Sequence, residues 1–122
     1  MQLKIYHYPK CSTSNAALSF LRSQNIEPEL ILYCEKGLEK QEILNLMQLL
    51  KISKPLDLIK RNGLTYRHLG LAHKNLSNDE WIEVIMQNPK LLQRPIIIYD
   101  NKAVIGKNEE IIANFLIYFK NI

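Results

Sequence analysis

Cysteine is scarce in this chain: 122 residues hold two, Cys11 and Cys34, which stand too far apart for a Cys-x-x-Cys pair. Two cysteines cannot staple a disulfide scaffold, and their scarcity points to a reducing compartment. Glycine is also rare, with four residues, and none forms the glycine-rich loop that cradles a nucleotide's phosphates. Reducing equivalents, if the chain uses them, are therefore expected to arrive as thiols. No apolar run approaches the ~20 residues of a membrane helix, so no membrane partner is expected. "MQLKIYHY" lacks a signal-peptide pattern, and the expected location is the cytoplasm. The two cysteines and the histidines His7, His68 and His73 do not have metal-ligand spacing, so no metal is expected. Internal repeats, low-complexity tracts and linker-like stretches are missing too, and residues 1–122 read as one domain.

What is present is an ordinary globular composition, 47% hydrophobic and 23% charged. Sixteen Lys and Arg against twelve Asp and Glu give a net charge of +4. The excess gathers in the middle: Lys51, Lys54, Lys60, Arg61, Arg67 and Lys74 surround a single acid, Asp57. Such a block suits a solvated face or a small oxyanion. It has neither the aromatic interleaving of a single-strand binder nor a helix-turn-helix signature, so no nucleic-acid partner is expected.

Along the chain, "QLKIYHY" alternates and predicts a strand of about six residues, with Leu3, Ile5 and His7 on one side. "STSNAALSFLRSQN" predicts a helix carrying Ala17, Phe20 and Leu21 on one face, with a Ser or Thr capping its start. "PELILYC" predicts a second, buried strand ending at Cys34. A strand, helix and strand in so short a space make a β-α-β unit with parallel strands. A helical block follows, about residues 38–92. In it "EKQEILNLMQLL" presents Ile43, Leu46, Met47 and Leu50, and "SNDEWIEVIMQNP" opens on a capping box of Ser77 and Glu80. The second of these helices carries Trp81, Val84 and Ile85 as a core stripe. "RPIIIYDNKAVIGK" predicts a hairpin turning at Asp100-Asn101, and "NEEIIANFLIYF" a last helix capped by Asn108. The order is an α/β one, β-α-β, helical insertion, β-β-α, and without the insertion it is that of the thioredoxin-like fold.

Cys11 follows a Pro-Lys turn and precedes the first helix. Unpaired N–H groups and the positive end of the helix dipole favour thiolate there, which should lower the thiol pKa. The Ser12, Thr13 and Ser14 hydroxyls and Lys10 can add to that stabilisation, and His7 can add charge or relay a proton. The same N–H groups form an anion cradle, so one loop can hold a nucleophile and an oxyanion for it to attack. A buried structural cysteine is the competing reading, and the polar flanks oppose it. Ser14 makes the motif Cys-x-x-Ser, so no local disulfide can form. The resolving thiol must come from Cys34, from glutathione or from a partner protein.

"IYHYPKCSTSNAALSFL", "LKISKPLDLIKRNGLTYRHLGL" and "NPKLLQRPIII" resemble the glutaredoxin-coupled arsenate reductase family and its bacterial relatives, over essentially the whole chain. The resemblance implies a thioredoxin-like core with a helical insertion. It implies that Cys11 attacks arsenate as a thiolate, that glutathione displaces arsenite, and that glutaredoxin resolves the mixed disulfide. No bound cofactor is implied. Three family arginines surround the cysteine; Arg94 stands at one position, Lys60 at the second with Arg61 adjacent, and Lys107 at the third. Asn15 stands where arsenate-resistance enzymes carry an arginine. The resemblance also implies a cis bond before Pro95, against ~5–6% for such bonds in general. Two other readings stay open. One is a glutathione-dependent thiol oxidoreductase acting on a different oxyanion or a protein mixed disulfide. The other is a redox-sensing, RNA-polymerase-binding regulator of the same fold.

Overall fold

The computed structural model describes residues 2–120. Its elements run β1 (Lys4–Tyr6), α1 (Ser12–Ser23), β2 (Glu29–Ile31), α2 (Tyr33–Lys36), α3 (Lys40–Leu50), α4 (Leu64–His68), α5 (Asn78–Gln87), β3 (Ile96–Tyr99), β4 (Lys102–Ile105) and α6 (Glu109–Lys120). The chain divides into two compact units. One holds residues up to Tyr33 together with those from Arg94 onward; the other is Cys34–Gln93. Among the described residues, no helix is long and apolar enough to cross a membrane.

The first unit is built on a four-stranded sheet in the order β2-β1-β3-β4. β1 pairs parallel to β2 and β3 pairs antiparallel to β4, as the β-α-β and hairpin patterns predict; β1 also pairs antiparallel to β3. The hairpin turns at Asp100 and Asn101, with Asp100 at φ 56, a backbone region that Asp tolerates better than most residues. β1 is a central strand, paired along both edges, and buries Ile5 and Tyr6 on opposite faces. Leu3 and Ile5 join Ala17, Leu21, Ile97, Ile112 and Phe115 in one core, where α1 and α6 meet the sheet. Tyr6 faces the other way, with its ring centroid 6.1 Å from that of Tyr33. Burying one such Leu or Ile contributes about 1.5–3 kcal/mol.

The second predicted strand is shorter and less buried than its apolar run suggested. β2 lies at the sheet edge, so it has one strand neighbour where β1 has two, and Leu30 stays exposed. Pairing stops at Ile31, whose carbonyl accepts the His7 N–H at 3.0 Å. The chain then winds into α2, which places Cys34 on a helical turn instead of a strand end.

The Cys34–Gln93 unit is helical. α3 buries Ile43, Leu46 and Met47, with Leu50 half-buried. α5 buries Trp81, Ile82 and Ile85, so Ile82 takes the place expected of the half-buried Val84. The Ser77–Glu80 capping box is formed in both directions, at 2.9 and 3.2 Å. The segments around Leu58–Lys60 and Leu91–Gln93 meet in a bridge between Ile59 and Leu92. It is flanked by Lys60 N–H donating to Leu91 O at 2.7 Å and Gln93 N–H donating to Leu58 O at 2.8 Å.

Candidate active site

Cys11 is itself the N-cap of α1, with extended backbone (φ −110, ψ 125), and its carbonyl accepts the Asn15 N–H at 3.0 Å. The expected Ser or Thr cap is therefore displaced by one residue or more: Ser12 and Thr13 form the exposed first turn, and the sulfur stands where a capping oxygen would. Burial pushes the Cys11 thiol up, but three donors outweigh it and hold its pKa below the ordinary 9.0. They are the Ser14 N–H, the Arg94 guanidinium and the Thr13 N–H, with the Arg94 charge adding to them.

Ser14 is fully buried, and its hydroxyl serves the loop instead of the sulfur. Its Oγ accepts the Tyr8 N–H at 3.0 Å and lies 2.7 Å from His7 Nδ1. Ser14 Oγ thus holds the Tyr8 N–H and the His7 ring together, with the direction of the Nδ1 contact set by the histidine tautomer. His7 is 4% exposed, and burial followed by the charge of Arg22 lowers its pKa from 6.5. Both causes disfavour the charged ring and so count against the expectation that His7 lends charge to the sulfur. Its role in the loop is that of a buried hydrogen-bond partner.

The loop is closed by two further bonds. Cys11 N–H donates to Tyr8 O at 3.0 Å, and Asn15 Nδ2 donates to Pro9 O at 2.7 Å. Asn15 thus braces the turn.

Arg94 comes from the far end of the sequence. Its guanidinium carbon lies 5.0 Å from the centroid of the Tyr8 ring, and it hydrogen-bonds the Cys11 sulfur. The Arg94-Pro95 peptide is cis. Pro95 is buried and its carbonyl accepts the Gly106 N–H at 2.8 Å. At Gly106 a Cβ would come within 3.0–3.3 Å of Ile97 and Ile112 side-chain atoms, so only a bare backbone fits against β3 and α6 without displacing them. The next residue, Lys107, lines a cavity of about 420 Å³ with Ser12 and Thr13 of α1 and with Asn108, whose Oδ1 caps α6 by accepting the Ile111 N–H at 3.0 Å.

The unit thus brings together Cys11, Ser12, Thr13, Ser14, His7, Arg94, Pro95 and Lys107. Lys60 and Arg61 belong to the helical unit. There Lys60 is half-buried beside Gly63, whereas Arg61 is bonded to Asp57 at 2.7 Å and to Leu56 O.

The sequence model of the ArsC family matches residues 6–115. The chain belongs to the ArsC family. It is 36% identical over 109 residues to the uncharacterised protein YfgD of Escherichia coli strain K12, covering 89% of this chain and 92% of that one. It is 33% identical over 106 residues to an arsenate reductase of Neisseria meningitidis, covering 87% and 91%. The structure of an arsenate reductase from Vibrio cholerae matches with a TM-score of 0.82 at 32% identity, covering 93% of this chain and 97% of that one. The fold is the thioredoxin-like one of ArsC proteins with its helical insertion, as the element order predicts.

Sequence reasoning missed Tyr8 and Arg22. Tyr8 is one of six tyrosines, and nothing local marks it. Its contact with Arg94 depends on β1 and β3 being neighbours. Arg22 reads as an exposed helix residue paired with Glu27 at 3.0 Å, and its influence on His7 is through space.

Proposed function

We propose that this ArsC protein is a thiol-dependent oxidoreductase that reduces arsenate to arsenite, with Cys11 as nucleophile, glutathione as reductant and glutaredoxin as the partner that restores the thiol. The observation that carries the reading is the Cys11 sulfur at the N-cap of α1, its pKa lowered by two helix N–H groups and the Arg94 guanidinium. A thiolate is the form that attacks, and donors that stabilise it can also hold the oxyanion it meets.

The electrons balance as follows. The thiolate bonds to arsenic(V), and one arsenate oxygen leaves as water. A glutathione thiolate then attacks the Cys11 sulfur; the arsenic–sulfur bond breaks with its pair passing to arsenic, which departs as arsenite. Arsenic gains two electrons and the two sulfurs lose one each, joining as a mixed disulfide. A glutaredoxin thiol exchanges into that disulfide and frees Cys11. Arg94 and Lys107 offset the anion's charge, Arg94 with a planar two-donor fork and Lys107 with a point charge. Ser12 and Thr13 offer first-turn groups to the anion, and Pro95 sets the backbone that follows Arg94. The resemblance gives Lys60, or its neighbour Arg61, the remaining cationic role.

One observation favours a related reading. Asn15, where arsenate-resistance enzymes carry an arginine, spends its amide on Pro9 O and brings no charge to the loop. That fits a glutathione-dependent oxidoreductase whose acceptor is another oxyanion or a protein mixed disulfide. The test is arsenite formation from arsenate with glutathione and glutaredoxin, comparing the native protein with Cys11→Ser and Cys34→Ser. Turnover is expected in the native protein and in Cys34→Ser and to vanish in Cys11→Ser. Loss in a folded Cys34→Ser would sink the external-thiol route. No turnover in any, with Cys11 still reactive, would leave the non-arsenate reading.

A further inference from the structure

We propose that Tyr8 is a positioning residue for this site: its ring seats the Arg94 guanidinium where that group meets the Cys11 sulfur. The inference rests on the reading of Cys11 as the reacting thiol with Arg94 as its cation.

The geometry begins with the main chain. Tyr8 donates its N–H to the buried Ser14 Oγ at 3.0 Å and accepts the Cys11 N–H on its carbonyl at 3.0 Å. The residue is therefore tied on both sides to the loop that carries the sulfur, and its Cα cannot shift without breaking one of those bonds. The half-buried ring projects from that fixed point, and the Arg94 guanidinium carbon lies 5.0 Å from its centroid, inside the ~6 Å range of a cation–π contact.

Arg94 needs such a seat. An arginine side chain has many rotamers to give up before its fork can serve one acceptor. A ring with the guanidinium carbon 5.0 Å from its centroid removes part of that freedom. The same guanidinium donates to the Cys11 sulfur, so the ring and the sulfur hold one group between them. Tyr8 touches no reacting atom and transfers no proton in this account. It acts through Arg94 and fixes the distance between that cation and the loop.

The test follows alkylation of Cys11 by iodoacetamide as a function of pH, read at the Cys11 peptide by mass spectrometry in the full chain, so that the identity of the oxyanion does not enter. Tyr8→Phe keeps the ring and should match the native profile. Tyr8→Leu and Tyr8→Met remove the ring with different shapes, so a folding failure in one leaves the other. Each should lower the low-pH rate about two- to five-fold and move the midpoint up by a few tenths of a pH unit, the size expected for losing part of one cation's effect. In an Arg94→Ala background the same Tyr8 changes should add nothing. Ring-free variants with a native profile would overturn the proposal, as would an equal loss persisting without Arg94. A native profile in Arg94→Ala alone would instead overturn the reading of Arg94 on which the proposal stands.

Discussion

Ser14 stands where a second cysteine would complete Cys-x-x-Cys, and its hydroxyl is committed on two sides, to the Tyr8 N–H and to His7 Nδ1. Removing it leaves the part-buried Tyr8 N–H and the buried His7 ring nitrogen without that partner, and the buried loss dominates at about 1–3 kcal/mol. Ser14→Ala should therefore destabilise the protein by roughly that amount in urea unfolding. A change within about 0.5 kcal/mol, the scatter of ordinary surface substitutions, would mean water replaces the hydroxyl. His7 gives a pH dependence with a definite sign. Its folded pKa lies below 6.5 because burial, and then Arg22, disfavour the charged ring. Between the folded value and 6.5 the unfolded chain binds more protons, so acid favours unfolding. The contribution is complete above 6.5 and is lost as pH falls through that window. Substituting His7→Gln should flatten the fall in urea midpoint between about pH 7 and pH 5. If native and variant lose stability in parallel, His7 titrates as it would in an unfolded chain.

At the scale of elements, the first helix starts on a poor cap. A side-chain oxygen is the favoured N-cap, and α1 has a sulfur there instead: the Thr13 and Ser14 N–H groups favour its thiolate, but the thiol, a weak acceptor, completes no side-chain cap hydrogen bond. Cys11→Ser should remove the thiol chemistry and yet stabilise the fold by about 0.5–1 kcal/mol, the low-to-typical worth of a Ser cap. The gain should be largest at low pH. The depressed Cys11 pKa means its own contribution is complete above 9.0 and is lost as pH falls through the folded value. A Ser variant less stable than the native protein at every pH would show that the sulfur's packing outweighs its poor capping. The start of α1, the Ser77–Glu80 box, the Asp100-Asn101 turn and the Asn108 cap were legible in the sequence because each is a local signal. Period-two alternation likewise put Leu3 and Ile5 on one face of β1. It could not tell how many strands would flank β2, and burial depends on that. The apolar run from Pro28 to Cys34 therefore read as a core strand when it is an edge strand followed by a helical turn.

For the molecule as a whole, the element order gave the fold because the β-α-β and β-β-α patterns leave few ways to close one sheet. Residue pattern alone marked the candidate site only around Cys11, at a helix start; Arg94, Pro95 and Lys107 were legible through the family resemblance. Tyr8 on Arg94 is a contact between opposite ends of the chain, made when β1 pairs with β3, and no local pattern announces it. The charge balance also acts at this scale. Sixteen cations against twelve acids give +4, and Arg94 and Lys107 lie in the same compact unit as Cys11. Anionic reagents should thus approach the sulfur faster than neutral ones of similar size, and salt should erase the difference. Iodoacetate and iodoacetamide differ chiefly in that charge. The ratio of their rates at Cys11, each divided by its rate with free cysteine, should exceed one at low salt. It should fall about two- to five-fold between roughly 0.02 and 0.5 M NaCl, as screening shortens from well over 10 Å to a few Å. Both reagents attack the same thiolate, so any salt effect on its pKa cancels in the ratio and only the field around the sulfur remains. A ratio that ignores salt would mean the net positive charge does not reach Cys11, and that any preference for an oxyanion is made by Arg94 and the helix N–H groups at contact distance.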